Sequence, residues 1–343
     1  MKTVKLKTVD AFVAFDLDCP TSAGGTRLAP DITERETQLL ARAMTYKFAV
    51  LGVSIGGAKA AIKASDAERE EALQRYCEEI RPWVEEQRFL TATDLGTQPQ
   101  DFASLPGGDA DELMHAPYHG MPLDAYITGL GVATAAEVAL GGLEGRTAAI
   151  EGFGKVGGAA AVELARRGAR LIAFSTIHGC AVQPQGFDVE ELLELRSRHG
   201  DRLVEHLRVD VRPAAELFAM EADVVVPGAR PGVIDEERAA HVRAMVVAPA
   251  ANVPYTASGL DVLRRRRIPA LADFVCNSGA TIGYVAGVQT AEEALSRVEE
   301  RVRELTRASL EHPEGPHRGA SELAEEHLRT WAAEQMPDGP PLA

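Results

Sequence analysis

The sequence predicts a two-domain α/β protein whose second domain is a doubly wound, mostly parallel sheet. Three observations support this fold class. The chain has 343 residues, enough for two domains with sizeable cores. From about residue 126, short apolar runs alternate with amphipathic segments, as strands and helices alternate around a parallel sheet. The first of these apolar runs ends in a glycine-rich turn at residues 152–157, directly before a helical segment.

The part of the chain before residue 126 predicts a smaller α/β domain. Residues 1–20 alternate in the stretches TVKLKTV and AFVAFDL, which favours two strands of a hairpin. Two capping patterns, each completed by a glutamate three residues later, predict helices over about 31–43 and 65–85. The stretch LTATDLGT predicts a strand that ends at Asp94. Residues 98–125 are rich in Gly, Pro, His and Asp, and indicate a linker or an active-site loop.

The second part of the chain predicts alternating strands and helices, followed by two helices. A capping box at Thr290 and Glu293 precedes apolar residues at helical spacing, and a glutamate-rich helix follows at 319–334. The predicted strands are 147–150, 171–175, 222–226, 245–248 and 270–272, and the predicted helices between them are 131–141, 156–167, 189–199, 236–243 and 259–266.

Composition excludes several classes of function. The net charge is −15, which disfavours a nucleic-acid or anionic-membrane surface, and the arginines at 264–267 read as a solvated helix end. The four cysteines show no paired spacing, and no histidine has a metal-ligand spacing, so we expect no metal, no disulfides and a reducing compartment. Without an apolar leader or a run of eighteen apolar residues, the sequence predicts a cytoplasmic protein with no membrane span.

The glycine turn has the spacing of a dinucleotide-binding fingerprint. Gly152, Gly154 and Gly157 form GxGxxG after a predicted strand and before a predicted helix. A helix N-terminus in this position offers unpaired N–H groups and a favourable dipole to a pyrophosphate. A plain strand-to-helix turn is the alternative, but the following strand completes the binding pattern. The predicted cofactor contacts in this turn are Gly152, Phe153, Gly154, Lys155, Val156 and Gly157.

The end of the second predicted strand leaves the choice of cofactor open. A carboxylate for the ribose 2′-hydroxyl is expected there, but the residues are Ser175, Thr176 and His178. With no carboxylate to repel a 2′-phosphate, NADP is compatible, and His178 or Lys155 could offer positive charge. Alternatively, Thr176 hydrogen-bonds the ribose of NAD. The sequence therefore predicts NAD or NADP without separating them.

Two lysines, Lys47 and Lys59, flank an apolar run in MTYKFAVLGVSIGGAKA. The paired glycines 56 and 57 allow a sharp turn or the close approach of a ligand. A lysine against an apolar wall is poorly solvated, so its pKa falls and it can act as a base. The alternative is a pair of lysines in water, which is the common case for an arbitrary pair.

Several blocks of sequence resemble those of the glutamate/leucine/phenylalanine/valine dehydrogenase family. They occur in the order of the family between Gly24 and Ala280, and the ordered set is far more specific than any single block. The blocks are GGTR, MTYK with GGAK twelve residues later, TDLGT, TGLGV, GFGKVG, NVPYT and CNSGA.

The resemblance implies roles for residues that match the motifs. Lys47 would bind the substrate α-carboxylate and lower the pKa of Lys59 by like-charge repulsion, Lys59 would be the catalytic base, and Asp94 would contact the amino group and help to move protons. Asn252 and Asn277 match asparagines near the nicotinamide and the substrate, although either could instead satisfy loop backbone. A further expectation is that Arg27 in GGTR is structural and binds a nearby carboxylate.

Departures from the family pattern bear on the substrate. Glutamate-specific members have a lysine where this chain has Ala23, next to Gly24, and this argues against glutamate. Thr281 and Tyr284 stand where the side-chain pocket is expected, and they are more polar and bulkier than valine. The family commonly has an aspartate where Thr176 stands, which again leaves NADP open.

The resemblance also implies the domain organisation and the reaction. Residues 1–125, completed by C-terminal helices at 288–343, would form the substrate and oligomerisation domain, and 126–287 a Rossmann-type dinucleotide-binding domain. We expect reversible, NAD(P)-dependent oxidative deamination of a neutral L-amino acid to a 2-oxo acid and ammonia, by a homo-oligomer. The alternatives are a specialised substrate of secondary metabolism, or a catalytically silent paralogue that binds an amino acid or nucleotide.

Overall fold

The structure is a computed structural model that describes residues 1–107 and 112–343. The chain forms two compact units. Unit 1 contains Met1–Glu112 and Leu323–Pro341, and unit 2 contains Leu113–Glu322 and Leu342–Ala343. Each unit combines helices with a sheet that contains parallel strands, which confirms the predicted two-domain α/β fold class. The part of the predicted 98–125 loop at 108–111 lies outside the described residues.

Unit 1 is built on a five-stranded sheet in the order β1-β2-β4-β3-β5. Strands β1, β2 and β4 are antiparallel neighbours, whereas β3 lies parallel to both β4 and β5. The carboxyl ends of β3, β4 and β5 therefore lie at the same edge. The strands are β1 (Lys2–Lys5), β2 (Ala11–Phe15), β3 (Ser22–Leu28), β4 (Gly56–Ile62) and β5 (Phe89–Thr93), and the helices are α1 (Glu34–Val50) and α2 (Arg69–Glu85).

Helix α1 begins later and ends later than the sequence predicts. Its N-cap is Thr33, whose hydroxyl accepts from the Glu36 N–H, so the predicted start near Asp31 lies two residues before the N-cap. The helix continues past the predicted end at Ala43, because the residues that follow are buried in the interior of unit 1 and this packing stabilises the helix. Lys47 consequently lies in the last turn of α1.

The paired glycines at 56 and 57 correct a sequence prediction. They form no turn; they open strand β4, and strand β3 was not predicted at all. A Cβ on Gly57 would lie 2.1 Å from the Ala41 carbonyl oxygen and 2.2 Å from the Thr45 nitrogen, both in α1. The close approach therefore serves a helix rather than a ligand, and pairing with neighbouring strands overrides the weak strand propensity of glycine and alanine.

Unit 2 contains a six-stranded sheet in the order β11-β10-β9-β8-β12-β13. The four strands from β9 to β13 in this order are parallel, and β10 and β11 add an antiparallel edge, so the predicted mostly parallel sheet is confirmed. The predicted strand at 270–272 reduces to one bridge between Val247 and Ala270. The strands are β8 (Thr147–Glu151), β9 (Arg170–Thr176), β10 (Gly179–Val182), β11 (Asp210–Arg212), β12 (Val224–Pro227) and β13 (Val246–Val247), and the short strands β6 (Pro117–Tyr118) and β7 (Met121–Pro122) form a separate hairpin.

The predicted helices 156–167, 236–243 and 259–266 lie within two residues of the observed ones, and the predicted helix 189–199 has the observed bounds. The predicted helix 131–141 begins earlier, at Leu123, because its first residues are buried as well, and the helices at 112–115, 273–276 and 279–286 were not predicted. The remaining helices are α3 (Glu112–His115), α4 (Leu123–Leu140), α5 (Lys155–Arg166), α6 (Val189–His199), α7 (Glu236–His241), α8 (Ala257–Arg265), α9 (Asp273–Cys276), α10 (Gly279–Ala286), α11 (Ala291–Leu310) and α12 (Pro316–Trp331). Short 3-10 turns occupy Pro99–Phe102, Gly200–His206, Ala214–Ala219 and Ala333–Gln335.

Helix α4 organises the helical layer of unit 2. It packs against α5, α10 and α11, and Arg167 after α5 donates to Glu299 of α11 at 2.8 Å. Because α11 packs along α4, residues 288–322 group with unit 2, which differs from the predicted assignment of 288–343 to the first domain; the predicted domain boundaries stay a prediction. By length and composition α4 could cross a membrane, but 72% of its apolar window is buried, as in the core helix of a globular domain.

Candidate active site

A buried lysine and a carboxylate meet at the carboxyl edge of the sheet in unit 1. Lys59 lies within β4, and its ammonium pairs with Oδ2 of Asp94, the residue that follows β5. The side chain of Lys59 is 5% exposed and that of Asp94 is 20% exposed. The two residues are separated by 35 positions, and the parallel arrangement of β4, β3 and β5 brings them together.

The strand between them supplies a second cation. Arg27 of β3 donates through Nε to Asp94 Oδ2 at 3.0 Å and through Nη1 to Glu36 Oε1 at 2.8 Å. The expectation that Arg27 binds a nearby carboxylate is confirmed, and it binds two. Asp94 therefore accepts from two cations, while Glu36 of α1 fixes the other end of the guanidinium.

Two features of the local backbone make this cluster possible. A Cβ on Gly25 would lie 2.9 Å from the Asp94 Cβ and 3.1 Å from the Lys59 Nζ, so only glycine leaves room for the pair. The Thr97 hydroxyl accepts from the Asp94 N–H at 2.9 Å and donates to the Thr26 carbonyl at 2.9 Å. The TDLGT block thus fixes Asp94 to the neighbouring strand β3.

The charges around Lys59 determine its protonation. Burial lowers its pKa below the ordinary value, because the ammonium loses hydration; Asp94 opposes this shift and Arg27 adds to it. Arg27 is therefore a cation that lowers this pKa and that the sequence did not assign to this role, and the predicted effect of Lys47 stays a prediction. Burial alone would raise the pKa of Asp94, but Lys59 and Arg27 outweigh it and hold that pKa well below its usual range. Asp94 is therefore ionised, and Lys59 is more easily neutral than a solvated lysine.

The other predicted residues of unit 1 lie on adjoining elements. Lys47, 6% exposed, is on α1, and this helix packs against the strand that carries Lys59. Ala23 and Gly24 lie in β3, Ala23 partly exposed and Gly24 buried. A Cβ on Gly24 would lie 1.7 Å from the Ala58 carbonyl oxygen, so Gly24 permits the pairing of β3 with β4.

The glycine turn of unit 2 fits a dinucleotide phosphate. Gly152 has φ of +81°, and a Cβ on Gly157 would lie 2.1 Å from the Gly152 oxygen. Gly154 is the N-cap of α5 and offers no capping side chain, and a Cβ there would meet no described atom within 4 Å. An uncapped helix N-terminus facing open space is a ready site for a pyrophosphate. Lys155 is exposed and Val156 partly exposed in the first turn of α5, whereas Phe153 is buried.

The end of β9 lies beside this turn. The Ser175 carbonyl accepts from the N–H groups of Gly152 at 3.1 Å and Phe153 at 2.9 Å, which fixes the turn to the neighbouring strand. Ser175 and Thr176 are buried, and the Thr176 hydroxyl accepts from the His178 N–H at 3.1 Å. His178 Nδ1 lies 3.8 Å from a carboxylate oxygen of Glu205, so this carboxylate would offset a positive charge on His178.

The predicted asparagines of unit 2 meet each other. Asn277 Nδ2 lies 3.2 Å from Asn252 Oδ1, and it also lies 3.1 Å and 3.2 Å from the carbonyl oxygens of Ala251 and Ala250. The Asn277 amide therefore binds loop backbone, which was the open alternative, and orients Asn252. Thr281 and Tyr284 lie one turn apart on the partly exposed face of α10, whereas Ile282 and Gly283 are buried.

Sequence reasoning did not find three carboxylates that hold these sites in shape. Glu36 orients Arg27; Glu151 at the end of β8 accepts from the N–H groups of Gly228 and Ala229; and Asp273 accepts from the Val253 N–H. A signal existed for Glu151, since a carboxylate ends an apolar strand directly before the glycine turn. Nothing in the sequence marks the partners of the other two.

Comparison with known proteins adds independent findings. Residues 120–332 match the family model described as Glutamate/Leucine/Phenylalanine/Valine dehydrogenase, and residues 2–107 match the model described as Glu/Leu/Phe/Val dehydrogenase, dimerisation domain. The first match alone covers more than half of the chain.

Several curated relatives are named as glutamate dehydrogenases. Glutamate dehydrogenase of Aeropyrum pernix is 30% identical over 319 residues, covering 84% of this chain and 75% of that protein. NADP-specific glutamate dehydrogenase of Saccharolobus shibatae is 29% identical over 340 residues, covering 90% and 78%. NAD-specific glutamate dehydrogenase A of Halobacterium salinarum is 28% identical over 309 residues, covering 78% and 65%.

Solved structures show the same fold. The hetero-hexameric glutamate dehydrogenase from Thermus thermophilus, in a leucine-bound form, has a TM-score of 0.81 and 26% identity and covers 98% of this chain and 89% of that one. L-tryptophan dehydrogenase from Nostoc punctiforme, at 22% identity, shares the fold with a TM-score of 0.63, covering 97% and 96%. The resemblance inferred from the sequence blocks is confirmed: the chain belongs to the glutamate/leucine/phenylalanine/valine dehydrogenase family, whose members are NAD- or NADP-dependent amino-acid dehydrogenases.

Proposed function

We propose that the chain catalyses the reversible oxidative deamination of an L-amino acid with a neutral side chain, using NAD or NADP. The products would be the 2-oxo acid and ammonia. The observation that carries the reaction is the buried pair of Lys59 and Asp94, with the buried Lys47 on the helix that packs against the same strand. A lysine of lowered pKa can act as a general base, and a fixed carboxylate beside it can hold the substrate amino group. The pair is therefore suited to proton transfer at the substrate nitrogen and at the carbon bonded to it.

Each charged side chain has one task in this proposal. Lys47 binds the substrate α-carboxylate, an ion pair that persists through every step. Asp94, ionised, accepts hydrogen bonds from the α-amino group and so fixes the other end of the reacting carbon. With both ends held, the Cα–H bond keeps one direction, and positioning of this kind removes a large entropic part of the barrier.

Lys59 moves the protons. A bound nicotinamide would supply the acceptor for the Cα hydride once the α-ammonium group has released one proton to solvent and become a neutral amine. The substrate is then an iminium, and neutral Lys59 takes a proton from water as the water oxygen bonds to the iminium carbon. Lys59 returns this proton to the nitrogen, the C–N bond breaks with release of ammonia, and Lys59 takes the hydroxyl proton as the ketone forms.

The cofactor would be held by the glycine turn of unit 2. Gly152, Gly154 and Gly157 leave space at the N-terminus of α5 for the pyrophosphate, and Thr176 with His178 lies at the end of β9, where the adenosine ribose is expected. Relatives are named both NADP-specific and NAD-specific, which supports either cofactor. Glu205 beside His178 weakens the case for His178 as the partner of a 2′-phosphate.

Ala23 favours a substrate with a neutral side chain. A γ-carboxylate at this position would lose water without gaining a cation, at a cost on the order of several kcal/mol. Thr281 and Tyr284, assigned to the side chain by resemblance, add hydroxyl groups rather than charge. The expected order is a neutral apolar or aromatic amino acid first, a polar uncharged one second and glutamate last. A substrate of specialised metabolism also fits these hydroxyls.

A panel of L-amino acids with each cofactor tests the proposal, with formation of reduced cofactor as the measurement. We expect neutral amino acids to give higher kcat/KM than glutamate. Ala23→Lys should raise kcat/KM for glutamate by at least about tenfold through a new ion pair, whereas Ala103→Lys, at an exposed position of the same unit, should not. No turnover with any amino acid, with cofactor binding retained, would instead indicate a silent binding protein.

Glutamate is the second candidate substrate. The curated relatives at 28–30% identity are named as glutamate dehydrogenases, which favours it. If glutamate ranks first in the panel, a cation other than residue 23 must meet the γ-carboxylate, and the argument from Ala23 is wrong.

The assembly and the compartment are further parts of the proposal. The match of residues 2–107 to a dimerisation domain, and the hetero-hexameric relative, support a homo-oligomer. The proposed compartment is a reducing cytoplasm, because the four cysteines have no paired spacing in the sequence. Within residues 1–107 and 112–343, no group of three or more His, Cys, Asp or Glu residues could hold a metal ion.

A further inference from the structure

Val253 has a backbone conformation that its sequence strongly disfavours. Of the four non-glycine residues with positive φ in the described chain, it is the only β-branched one, with φ of +52°. It also precedes Pro254, and the residue before a proline favours an extended backbone. Val253 is 1% exposed, so the strain is built into the interior of unit 2. Such strain persists only where surrounding contacts impose it, and it concentrates at functional sites.

Both backbone groups of Val253 are held by hydrogen bonds. Its N–H donates to Oδ2 of Asp273 at 2.8 Å, and its carbonyl accepts from the Gly232 N–H at 2.8 Å. Asp273 opens the short helix α9 and is fully buried. A buried hydrogen bond of this kind is costly to lose, because the Val253 N–H would be left without a partner in the interior, so this contact can impose the left-handed conformation.

The residues before Val253 are fixed as firmly. The N–H groups of Ala250 and Ala251 donate to the Pro227 carbonyl at 2.8 Å and 2.9 Å, and their carbonyls lie within hydrogen-bond distance of Asn277 Nδ2. Asn252, which the same Nδ2 contacts through its Oδ1, stands between this anchored pair and the strained Val253. Its backbone direction is therefore set from both sides.

The position of this loop in the sheet suggests what it serves. It follows β13, two strands away from β8 in the order β8-β12-β13, and β8 ends in the glycine turn. Neighbouring strands are about 4.8 Å apart, so the loop lies about 10 Å along the carboxyl edge from that turn. Ligands of such sheets bind outside the carboxyl ends of the strands. A dinucleotide with its pyrophosphate at the turn and its adenosine half toward β9 would have its nicotinamide half on the side of β12 and β13.

We propose that Asp273 is a positioning residue for the nicotinamide half of the cofactor site. Its carboxylate holds Val253 in the left-handed conformation and thereby presents Asn252 to the cofactor. The inference rests on the proposed function, because it requires a nicotinamide dinucleotide at the glycine turn. Asp273 acts through Val253 and touches no reacting atom. A glycine in place of Val253 adopts the left-handed conformation without strain, so the carboxylate should matter less in a Val253→Gly protein.

A double-mutant cycle on the whole protein tests this coupling. Dissociation constants for NADH, NADPH and ADP-ribose are measured for the wild type, Asp273→Ala, Val253→Gly and the double variant. Asp273→Ala should weaken NADH or NADPH binding by about tenfold or more in the wild-type background, and by less than about threefold in the Val253→Gly background. Affinity for ADP-ribose, which lacks the nicotinamide, should be unchanged in all four proteins.

Controls separate positioning from general loss of structure. Asp223→Asn alters another carboxylate that accepts a backbone N–H, from Thr147 at 2.8 Å, but it lies at the amino end of β12, so NADH affinity should not change. Asp273→Asn replaces the alanine variant if that protein does not fold, and it should weaken NADH binding in the same direction. An equal loss of NADH and ADP-ribose affinity, or the same Asp273 effect in both backgrounds, overturns the inference. A wild type that binds neither NADH nor NADPH overturns the proposed function instead.

Discussion

The candidate catalytic centre of unit 1 and the glycine turn of unit 2 are built in opposite ways for the charged ligands that we propose they bind. In unit 1, buried charged side chains are balanced against one another, and Lys59, Asp94 and Arg27 meet within hydrogen-bond distance. In unit 2, side chains are absent where the cofactor phosphates are expected, and the backbone of the turn and a helix N-terminus replace them. Activity should therefore depend on the charge and protonation of side chains in unit 1. Cofactor affinity should depend on side-chain volume added to the glycine turn of unit 2.

The largest expected effect comes from Lys59, and it tests the charged side of the comparison. Lys59→Ala should lower kcat by about a hundred- to ten-thousandfold, because the general base is lost, while NADH affinity changes little. Steady-state kinetics and NADH fluorescence titration measure the two quantities. Lys63→Ala, at the partly exposed end of the same segment, is the control and should keep its activity. A Lys59→Ala enzyme with more than half the wild-type kcat would remove Lys59 from the mechanism.

At Gly157, in contrast to Lys59, we expect a substitution to weaken cofactor binding. Gly157→Ala places a Cβ 2.1 Å from the Gly152 oxygen, so the turn must open, and NADH affinity should fall by roughly ten- to a hundredfold. Gly158→Ala is the matched control, since its Cβ approaches only the flexible end of Leu193 at 3.1 Å. Equal affinities for these two variants would show that the turn tolerates volume, and the contrast between the regions would disappear.

A charge placed in the neutral region sharpens the comparison further. Thr176→Asp adds an acceptor for the ribose hydroxyls and repels a 2′-phosphate, so the ratio of kcat/KM for NAD to that for NADP should rise by about tenfold. Thr176→Asn, of similar size and without charge, should shift the ratio much less. If the wild type already rejects NADP, another group sets the choice and Glu205 becomes the first candidate.

The smallest effect tests how Arg27 acts on its neighbour. The proposed mechanism needs neutral Lys59, and the positive charge of Arg27 lowers the pKa of Lys59. Removing the charge with Arg27→Met raises that pKa, so the rising limb of the kcat–pH profile should move to higher pH, while Arg27→Lys should move it less. Arg75→Met breaks an exposed pair with Glu71 and should leave the profile in place. A profile that does not move in Arg27→Met assigns Arg27 a purely structural role.

The sequence by itself predicted the elements whose signals are local. The strand, glycines and helix at 147–167 are visible because a turn, a capping position and an amphipathic repeat lie within twenty residues. The ordered family blocks identify Lys47, Lys59 and Asp94 as candidate site residues from the sequence alone. The end of α1 and the strands β3 and β4 were missed, because burial and strand pairing, rather than propensity, decide those glycine- and alanine-rich segments.

Only the tertiary structure decided which charges meet. Lys59 and Asp94 are 35 positions apart, and β3 had to lie between β4 and β5 before Arg27 could join them; Glu36 reaches the same cluster from a helix. Likewise, no local pattern assigns Val253 a left-handed backbone, since both valine and the following proline favour an extended one. A buried carboxylate 20 residues away imposes that conformation. The sequence determined which chemical groups are present, and long-range packing determined which of them are partners. The reason is that a contact between two distant segments produces no periodic pattern in the sequence of either segment.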